Sequence, residues 1–244
     1  MAGGAAKYRW TRVVRYSFGG ALCLLAVVNV LIGSAWYLSL GIAVTGGIIL
    51  FGQRRIFRAA VSRSGDEIIC RYIPWYEGNA YSTLVLIPLM GVAMVAAGSA
   101  PGYPAWLAYG GAFLLLGVTP LTLYGIVRMW LRCLLHITPS ALVVRFAERG
   151  SELTEIRREL IESIEPRPTP QPVSGTWLEV AITYRPVEAG SVGTKTVIIG
   201  LRLTVQPINL LNALVVWKDS ANENPSELLD RVELVLRGRS MAGV

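Results

Sequence analysis

The stretch SFGGALCLLAVVNVLIGSAWYLSLGIAVTGGIILFG, residues 17–52, decides the fold because it contains no Asp, Glu, Lys, Arg or His. A second block without these residues covers 78–127. A bilayer crossing needs about 20 apolar residues, so each block is long enough to cross twice. The chain as a whole is 53% hydrophobic and 16% charged, against about 25% charged residues in soluble domains. The sequence therefore predicts a membrane protein.

Turn-forming residues divide each block into a helical hairpin. The first block is interrupted by GSA at 33–35, and the second by PGYP at 101–104, where proline and glycine cannot continue a helix. Pro88 and Pro120 lie inside the last two predicted helices and should kink them. The four predicted spans are 13–32, 36–53, 80–98 and 105–128.

A cleaved signal peptide is the alternative interpretation of the first span. The GSA tripeptide at 33–35 resembles a small-x-small cleavage site. The next apolar segment follows at once, however, as a helical hairpin requires. This favours an uncleaved membrane anchor.

The distribution of charge predicts the orientation. The chain has a net charge of +7, yet 137–244 holds twelve basic and thirteen acidic residues, so the excess basicity lies beside the apolar blocks. Basic residues accumulate on the cytoplasmic side, which places both termini and the 54–79 connector in the cytoplasm of a bacterium, at its inner membrane. Nucleic-acid binding is disfavoured, since it would need a basic face on the folded domain. The arginines assigned to the membrane interface are Arg9, Arg12, Arg15, Arg54, Arg55, Arg58, Arg128 and Arg132.

From about His136 the pattern changes to short alternating runs. HITPSALVVRF predicts strand, turn and strand, and TWLEVAITYRP predicts another strand. GTKTVIIGLRLTVQP adds one or two more, with Gly200 as a kink, while Pro166 is expected to end the segment RELIESIEPR. The sequence thus predicts a small antiparallel barrel or sandwich.

Two helices are expected to close this domain. PINLLNALVVW begins with a proline suited to a first helical turn. NPSELLDRVELVLRGR carries a capping residue, Asn224, before its first turn and a glycine near its end. The expected apolar face of the first helix is Ile208, Leu211, Leu214 and Val215, and that of the second is Leu228, Leu229, Val232, Val235 and Leu236.

The segments ITPSALVVRF, EIRRELIESIE and QPINLLNALVVWKD together resemble the bacterial pleckstrin-homology-like (PH-like) domains found beside transmembrane hairpins. The connector segment VSRSGDEIICRY at 61–72 parallels ITPSALVVRF and is interpreted as a strand hairpin that packs against the C-terminal domain. The predicted organisation is a basic N-terminus at 1–12, a hairpin at 13–53, the connector at 54–79, a second hairpin at 80–128 and an α+β PH-like domain at 137–244.

The overall layout is similar to that of small actinobacterial membrane proteins, a source also suggested by the strong preference for Arg over Lys. It resembles the lipid-uptake coordinator (Luc-type) accessory subunits of the mammalian-cell-entry (Mce) lipid importers. This resemblance implies a non-catalytic subunit of a lipid transporter with membrane lipids and transporter subunits as partners. It rests on architecture and not on a diagnostic motif.

Few residues offer enzyme chemistry. The one histidine, His136, has no nearby nucleophile in the sequence, and Cys23, Cys70 and Cys133 are too far apart for a metal motif. We therefore expect neither catalysis nor a cofactor or metal. The two blocks that supply the predicted spans contain no Asp, Glu, Lys, Arg or His, which argues against an autonomous transporter.

Two further sets of residues are candidates for contacts. Small residues at helical spacing permit close helix packing, either within the bundle or against a partner's helices. Arginines of the C-terminal domain could contact lipid headgroups or a partner protein. A stand-alone membrane sensor that binds headgroups or a signalling partner is thus the alternative function, and a lipid-acting enzyme ranks third. The packing candidates are Ser39, Ala43, Gly47, Ala93 and Ala97, and the headgroup or partner candidates are Arg145, Arg149, Arg157 and Arg158.

Overall fold

The computed structural model describes residues 2–52, 54–145, 153–171, 175–186, 193–199, 203–220 and 223–239. The chain divides into two compact units. A helical unit consists of 1–55 and 78–126, and a sheet-rich unit consists of 56–77 and 127–244. The chain therefore enters the sheet-rich unit twice, once through the connector and once after the last long helix.

Four helices account for the two apolar blocks: α1 (Ala2–Leu31), α2 (Trp36–Phe51), α3 (Gly78–Gly98) and α4 (Trp106–Arg132). The part of α1 from Val13, together with α3 and α4, is long and apolar enough to cross a membrane. The helix α2 has 16 residues and is a shorter apolar helix. Three of the four expected spans thus have the length and composition for a crossing.

Prolines inside α3 and α4 follow turns of π-helix. Ser82–Leu86 is π-helical just before Pro88, and Leu114–Val118 is π-helical just before Pro120. A proline has no N–H and its ring collides with the carbonyl four residues earlier. The wider turn is a recognised way for a helix to absorb such an interruption.

Both helical hairpins are closed by glycines in the left-handed region. Gly33 after α1 has φ of 76°, and Gly102 before α4 has φ of 86°, which side chains with a Cβ rarely adopt. Tyr37 and Tyr103 pack edge to face with ring centroids 5.9 Å apart. The turns that precede α2 and α4 therefore lie at the same end of the helical unit.

A five-stranded antiparallel sheet combines the connector with the C-terminal segment. Its strands, β1 (Val61–Ser64), β2 (Glu67–Arg71), β3 (Leu134–Ile137), β4 (Ala141–Arg145) and β5 (Thr154–Arg157), lie side by side in chain order. The connector forms the hairpin β1–β2. The strand β2 pairs with β3, although α3 and α4 lie between these two strands in the chain. The two segments that resemble each other in the sequence thus form neighbouring hairpins of one antiparallel sheet.

A second sheet contains β6 (Ile161–Gln171), β7 (Gly175–Tyr184) and β8 (Lys195–Ile199). The expectation that Pro166 ends its segment is wrong, because β6 continues through Pro166, Pro168 and Pro170 while paired with β7. In an antiparallel strand every second N–H points away from the partner. Prolines at every second position place all their missing donors on one side, so pairing with β7 survives. The kink expected at Gly200 lies outside the described residues.

Two helices, α5 (Pro207–Asp219) and α6 (Pro225–Leu236), complete the sheet-rich unit. The stripe predicted for α6 is confirmed, since four of its members are buried and Val235 packs against the same core. The face predicted for α5 is correct in part. Leu214 is buried and Leu211 packs against the core, whereas Ile208 is 50% exposed and Val215 is 36% exposed. The other buried residues of this helix are Leu210, Ala213 and Trp217.

Candidate membrane-interface site

The five-stranded sheet has one face in the core and one outer face. Ile68, Leu135 and Leu142 are fully buried on the core face, and strand alternation sends their neighbours to the outer face. Ile69, His136 and Val143 are cross-strand partners on that outer face, and all three are half-buried. The outer face therefore has a partly apolar centre.

One row of the outer face is basic. Leu134 is the Cα partner of Arg71 on one side and of Arg145 on the other. Directly opposed residues of antiparallel strands point to the same face, so two guanidinium groups flank one leucine. We call Arg71, Leu134 and Arg145 the arginine row. Within the part of the chain that the structure describes, no ion pair involves either arginine.

The histidine singled out by the sequence joins the connector to β3. His136 Nδ1 lies 2.9 Å from Glu67 Oε2, and both side chains are partly exposed. This contact links β2 to β3 beside the backbone ladder. Among the described residues, no three of His, Cys, Asp and Glu lie close enough together to hold a metal ion.

Tryptophans lie where the chain meets two of the long helices. Trp130 is in the last turn of α4, and Trp75 precedes the start of α3 by three residues. Their rings pack edge to face at 6.3 Å, with 46% of Trp130 and 54% of Trp75 exposed. Nearby in the chain, the Arg58 guanidinium lies 5.4 Å from the ring centre of Tyr76. Tryptophan, tyrosine and arginine in this combination are typical of the membrane–water boundary.

The four arginines proposed for headgroup or partner contact do not share one location. Arg145 belongs to the arginine row, while Arg157 is opposite Ala141 on another row of the same face. Arg149 lies outside the described residues. Arg158 turns away, because its guanidinium donates to the carbonyl oxygens of Lys218 at 3.2 and 3.3 Å and Pro139 at 3.3 Å.

The Arg158 guanidinium also stacks over Trp217, 5.3 Å from the ring centre, and Trp217 Nε1 donates to Thr138 O at 2.7 Å. Burial lowers the pKa of Arg158, and the nearby carboxylates of Asp219 and Glu223 act in the opposite direction. The side chain therefore joins the turn between β5 and β6 to the end of α5.

The arginines assigned to the membrane interface are distributed over both units. Arg15 donates to the carbonyl oxygens of Ile49 and Leu50 near the end of α2, and Arg55 lies over the ring of Tyr16 at 5.5 Å. These contacts hold the middle of α1 beside the end of α2. Arg54, Arg128 and Arg132 are half-exposed, and Arg58 is exposed. The side chains of Arg9 and Arg12 lie outside what the structure describes.

The small residues proposed for helix packing lie mostly inside the helical unit. Ser39, Gly47, Ala93 and Ala97 are buried, and Ala43 is half-buried. A Cβ on Gly47 would lie 3.2 Å from the side chain of Leu86 in α3. These positions already serve packing of the chain's own helices.

A buried carboxylate was missed by sequence reasoning. Glu77 is 1% exposed, and its Oε1 accepts a hydrogen bond from Thr204 Oγ1 at 3.0 Å. Thr204 also accepts from Ile73 N at 2.9 Å. No local pattern distinguishes Glu77 from the other charges of the connector, because its partner is far away in the chain.

Burial also affects the cysteine of β2. Cys70 is fully buried among core residues, and this burial raises the pKa of its thiol to about 12. The structure therefore places Cys70 as a neutral packing group, as expected for a small apolar residue.

No protein-family model, curated protein or solved structure matches this chain.

Proposed function

We propose that the chain is a four-span protein of the bacterial inner membrane that acts as a non-catalytic accessory subunit of a larger membrane complex. The observation that supports this proposal most is the ladder between β2 and β3, which joins Ile68 to Ile137 and Arg71 to Leu134.

The ladder requires β2 and β3 to be on the same side of the membrane. The chain between them consists of α3, a turn and α4, so the number of crossings between Arg71 and Leu134 must be even. Both α3 and α4 have the length and composition for a crossing. Two crossings satisfy the requirement and leave the turn at 99–105 on the opposite side.

Whether α2 crosses decides where the N-terminus lies. With 16 residues it spans about 24 Å, against a hydrocarbon core of about 30 Å. Local thinning of the bilayer accommodates a deficit of this size. The Tyr37–Tyr103 contact supports a crossing, because it aligns the start of α2 with the turn between α3 and α4. Four crossings then place the basic N-terminus and the basic connector together in the cytoplasm, in accordance with the positive-inside rule.

Labelling of single cysteines with a membrane-impermeant maleimide tests this topology. In a chain with Cys23, Cys70 and Cys133 replaced, we expect Ser34→Cys and Ser99→Cys to react in intact cells and Thr11→Cys to react only after permeabilisation. Asp66→Cys is the cytoplasmic control. Reaction of Thr11→Cys in intact cells, with Ser34→Cys protected, would reduce the number of crossings to three.

The sheet-rich unit is proposed to be a PH-like domain. Its meandering first sheet, its three-stranded second sheet and its closing helices suit that class, although the β1–β2 hairpin is an addition from the connector. Three chain connections, near residues 55, 77 and 126, join this domain to the helices. A domain joined to the helices at three points is suited to present a binding surface to another protein.

The Mce-type lipid importer is the partner complex we propose, on the resemblance in layout described above. The test is affinity purification of the full chain from its native membrane in mild detergent. We expect co-elution in fixed stoichiometry with the subunits of a lipid ABC transporter. A chain that elutes alone under conditions that keep the transporter intact would overturn the proposal.

The alternative is a stand-alone sensor or scaffold whose cytoplasmic domain binds headgroups. The arginine row favours it, since two cations with no ion pair among the described residues flank a half-buried leucine. A chain that elutes alone and responds to anionic lipid would support this alternative over the accessory role.

A further inference from the structure

We propose that the arginine row is a binding site for the phosphate of an anionic phospholipid, drawn from the membrane that α4 enters. The site is formed by Arg71 and Arg145 over Leu134. It is independent of the partner complex and would be present in either of the functions above.

The spacing of the row suits one phosphate. Arg71 and Arg145 are separated by one strand, so their Cα atoms are about 10 Å apart. Both side chains start on the outer face, and long guanidinium arms can converge from that distance over the leucine between them. Arginine binds phosphate oxygens through two parallel N–H donors, which gives the pair both charge and geometry.

The strands that carry the arginine row are packed against the core on their opposite face. The neighbouring residues on the core face, Cys70, Leu135 and Val144, are at most 1% exposed. Arg71 and Arg145 are the last residues of β2 and β4, and both are paired with Leu134 of β3, so their backbones belong to strand ends and not to a loop. A lipid headgroup would meet a preformed surface and would have to order only the two side chains.

The position of the row along the chain selects a membrane lipid as the occupant. Leu134 follows Arg132, the last residue of α4, by two positions. Two residues span at most about 7 Å, so a crossing by α4 leaves Leu134 at the level of the headgroups. Trp130, half-exposed in the last turn of α4, is of the type that anchors a helix at that level.

Charge complementarity supports the same occupant. The cytoplasmic surface of a bacterial membrane is negative, and it attracts basic residues that lie within a Debye length. Neither arginine of the row has an acidic partner in the described part of the chain. The half-buried leucine gives the first acyl carbons an apolar contact beside the phosphate.

Native mass spectrometry of the full chain in detergent tests the site. Dioleoylphosphatidylglycerol and dioleoylphosphatidylcholine are added in parallel, and the number of lipids retained is counted. We expect selective retention of phosphatidylglycerol by the wild type and a loss of about fivefold for each of Arg71→Gln and Arg145→Gln. The double variant Arg71→Lys/Arg145→Lys should retain part of the phosphatidylglycerol binding. It keeps both positive charges but loses the paired N–H donors of arginine.

Arg157→Gln is the matched control, since Arg157 lies on the same outer face but on another row. Its retention of phosphatidylglycerol should remain within twofold of wild type. Equal losses for Arg157→Gln and Arg71→Gln would overturn the site in favour of unspecific surface charge. If the double variant Arg71→Gln/Arg145→Gln retained phosphatidylglycerol as the wild type does but lost a co-purifying subunit, the lipid site would be overturned in favour of a protein contact. The accessory role would fail separately, through the absence of co-elution in the wild type.

Discussion

The hydroxyl of Thr204 donates to the buried carboxylate of Glu77 at 3.0 Å, and it accepts the N–H of Ile73 at 2.9 Å. Backbone bonds continue the contact, since Thr204 N donates to Arg71 O and Ala60 N donates to Thr204 O. One residue of the C-terminal segment thereby holds both ends of the connector hairpin.

Replacing this hydroxyl should destabilise the protein. Thr204→Val leaves the shape nearly unchanged but removes one hydrogen-bond donor to the buried Glu77 carboxylate and the hydroxyl that accepts the Ile73 N–H. A loss of about 1–3 kcal/mol is expected, measured as a lower thermal midpoint of the full chain in detergent. Thr196→Val is the control, because Thr196 is exposed on β8. Equal midpoints for the two variants would show that the Thr204 contact contributes no stability.

A close approach of α3 and α4 at Gly111 should tolerate no added methyl group. A Cβ on Gly111 would lie 2.6 Å from Gly91 O and 2.7 Å from Val95 N, so Gly111→Ala must push two backbones apart. We expect a cost of about 1–3 kcal/mol, as for other overpacked sites. Gly125→Ala, where a Cβ meets nothing within 4 Å, should leave stability unchanged or slightly raised. Thermal unfolding of the two variants in the same detergent compares them directly.

Arg158 should contribute to stability and not to lipid binding. Arg158→Ala removes the donors to Lys218 O and Pro139 O and the stacking on Trp217, at an expected cost of about 1–3 kcal/mol. Arg157→Ala should cost less than about 0.5 kcal/mol, since that side chain is mostly exposed. Phosphatidylglycerol retention should be unaffected by Arg158→Ala in the temperature range where the variant is folded. A selective loss of retention would contradict this assignment.

Alkaline pH should destabilise the protein through Cys70. The pKa of its thiol is raised by burial from an ordinary value of 9.0 to about 12. The unfolded chain therefore releases this proton first, and the stability present below pH 9 is lost progressively as the pH rises towards 12. The slope is at most about 1.4 kcal/mol per pH unit for one group. Unfolding of Cys70→Val should lack this component, and an unchanged slope would assign the alkaline loss to other groups.

Local patterns predicted most of the helices. Charge-free apolar blocks, interrupted at Gly33 and at PGYP, predicted the two helical hairpins. The capping residue Asn224 predicted the start of α6, and its side chain accepts a hydrogen bond from Ser226 N at 3.3 Å. The α5 face could not be predicted in the same way. Helical spacing allows an apolar face that includes Ile208 and an overlapping one that includes Trp217. Only tertiary packing decides between them, and in the structure Trp217 is buried while Ile208 is 50% exposed.

The strand pairing required information that lies far apart in the chain. Pro166 was expected to end its segment, because the effect of a proline depends on which side of the strand lacks a partner, and this is decided by β7. The arginine row likewise could not be predicted from any single segment. Arg71 and Arg145 belong to separate segments, and only the register of β2, β3 and β4 makes them neighbours.

The β2–β3 ladder also has a consequence for the order of synthesis. The ribosome completes β2 roughly 60 residues before it completes β3, which at 5–20 residues per second is a delay of about 3–12 s. In the proposed topology α3 and α4 enter the bilayer during that time, while one edge of β2 remains unpaired. A stalled or truncated chain would therefore present an open strand edge to quality-control proteases, whereas a finished one would conceal it.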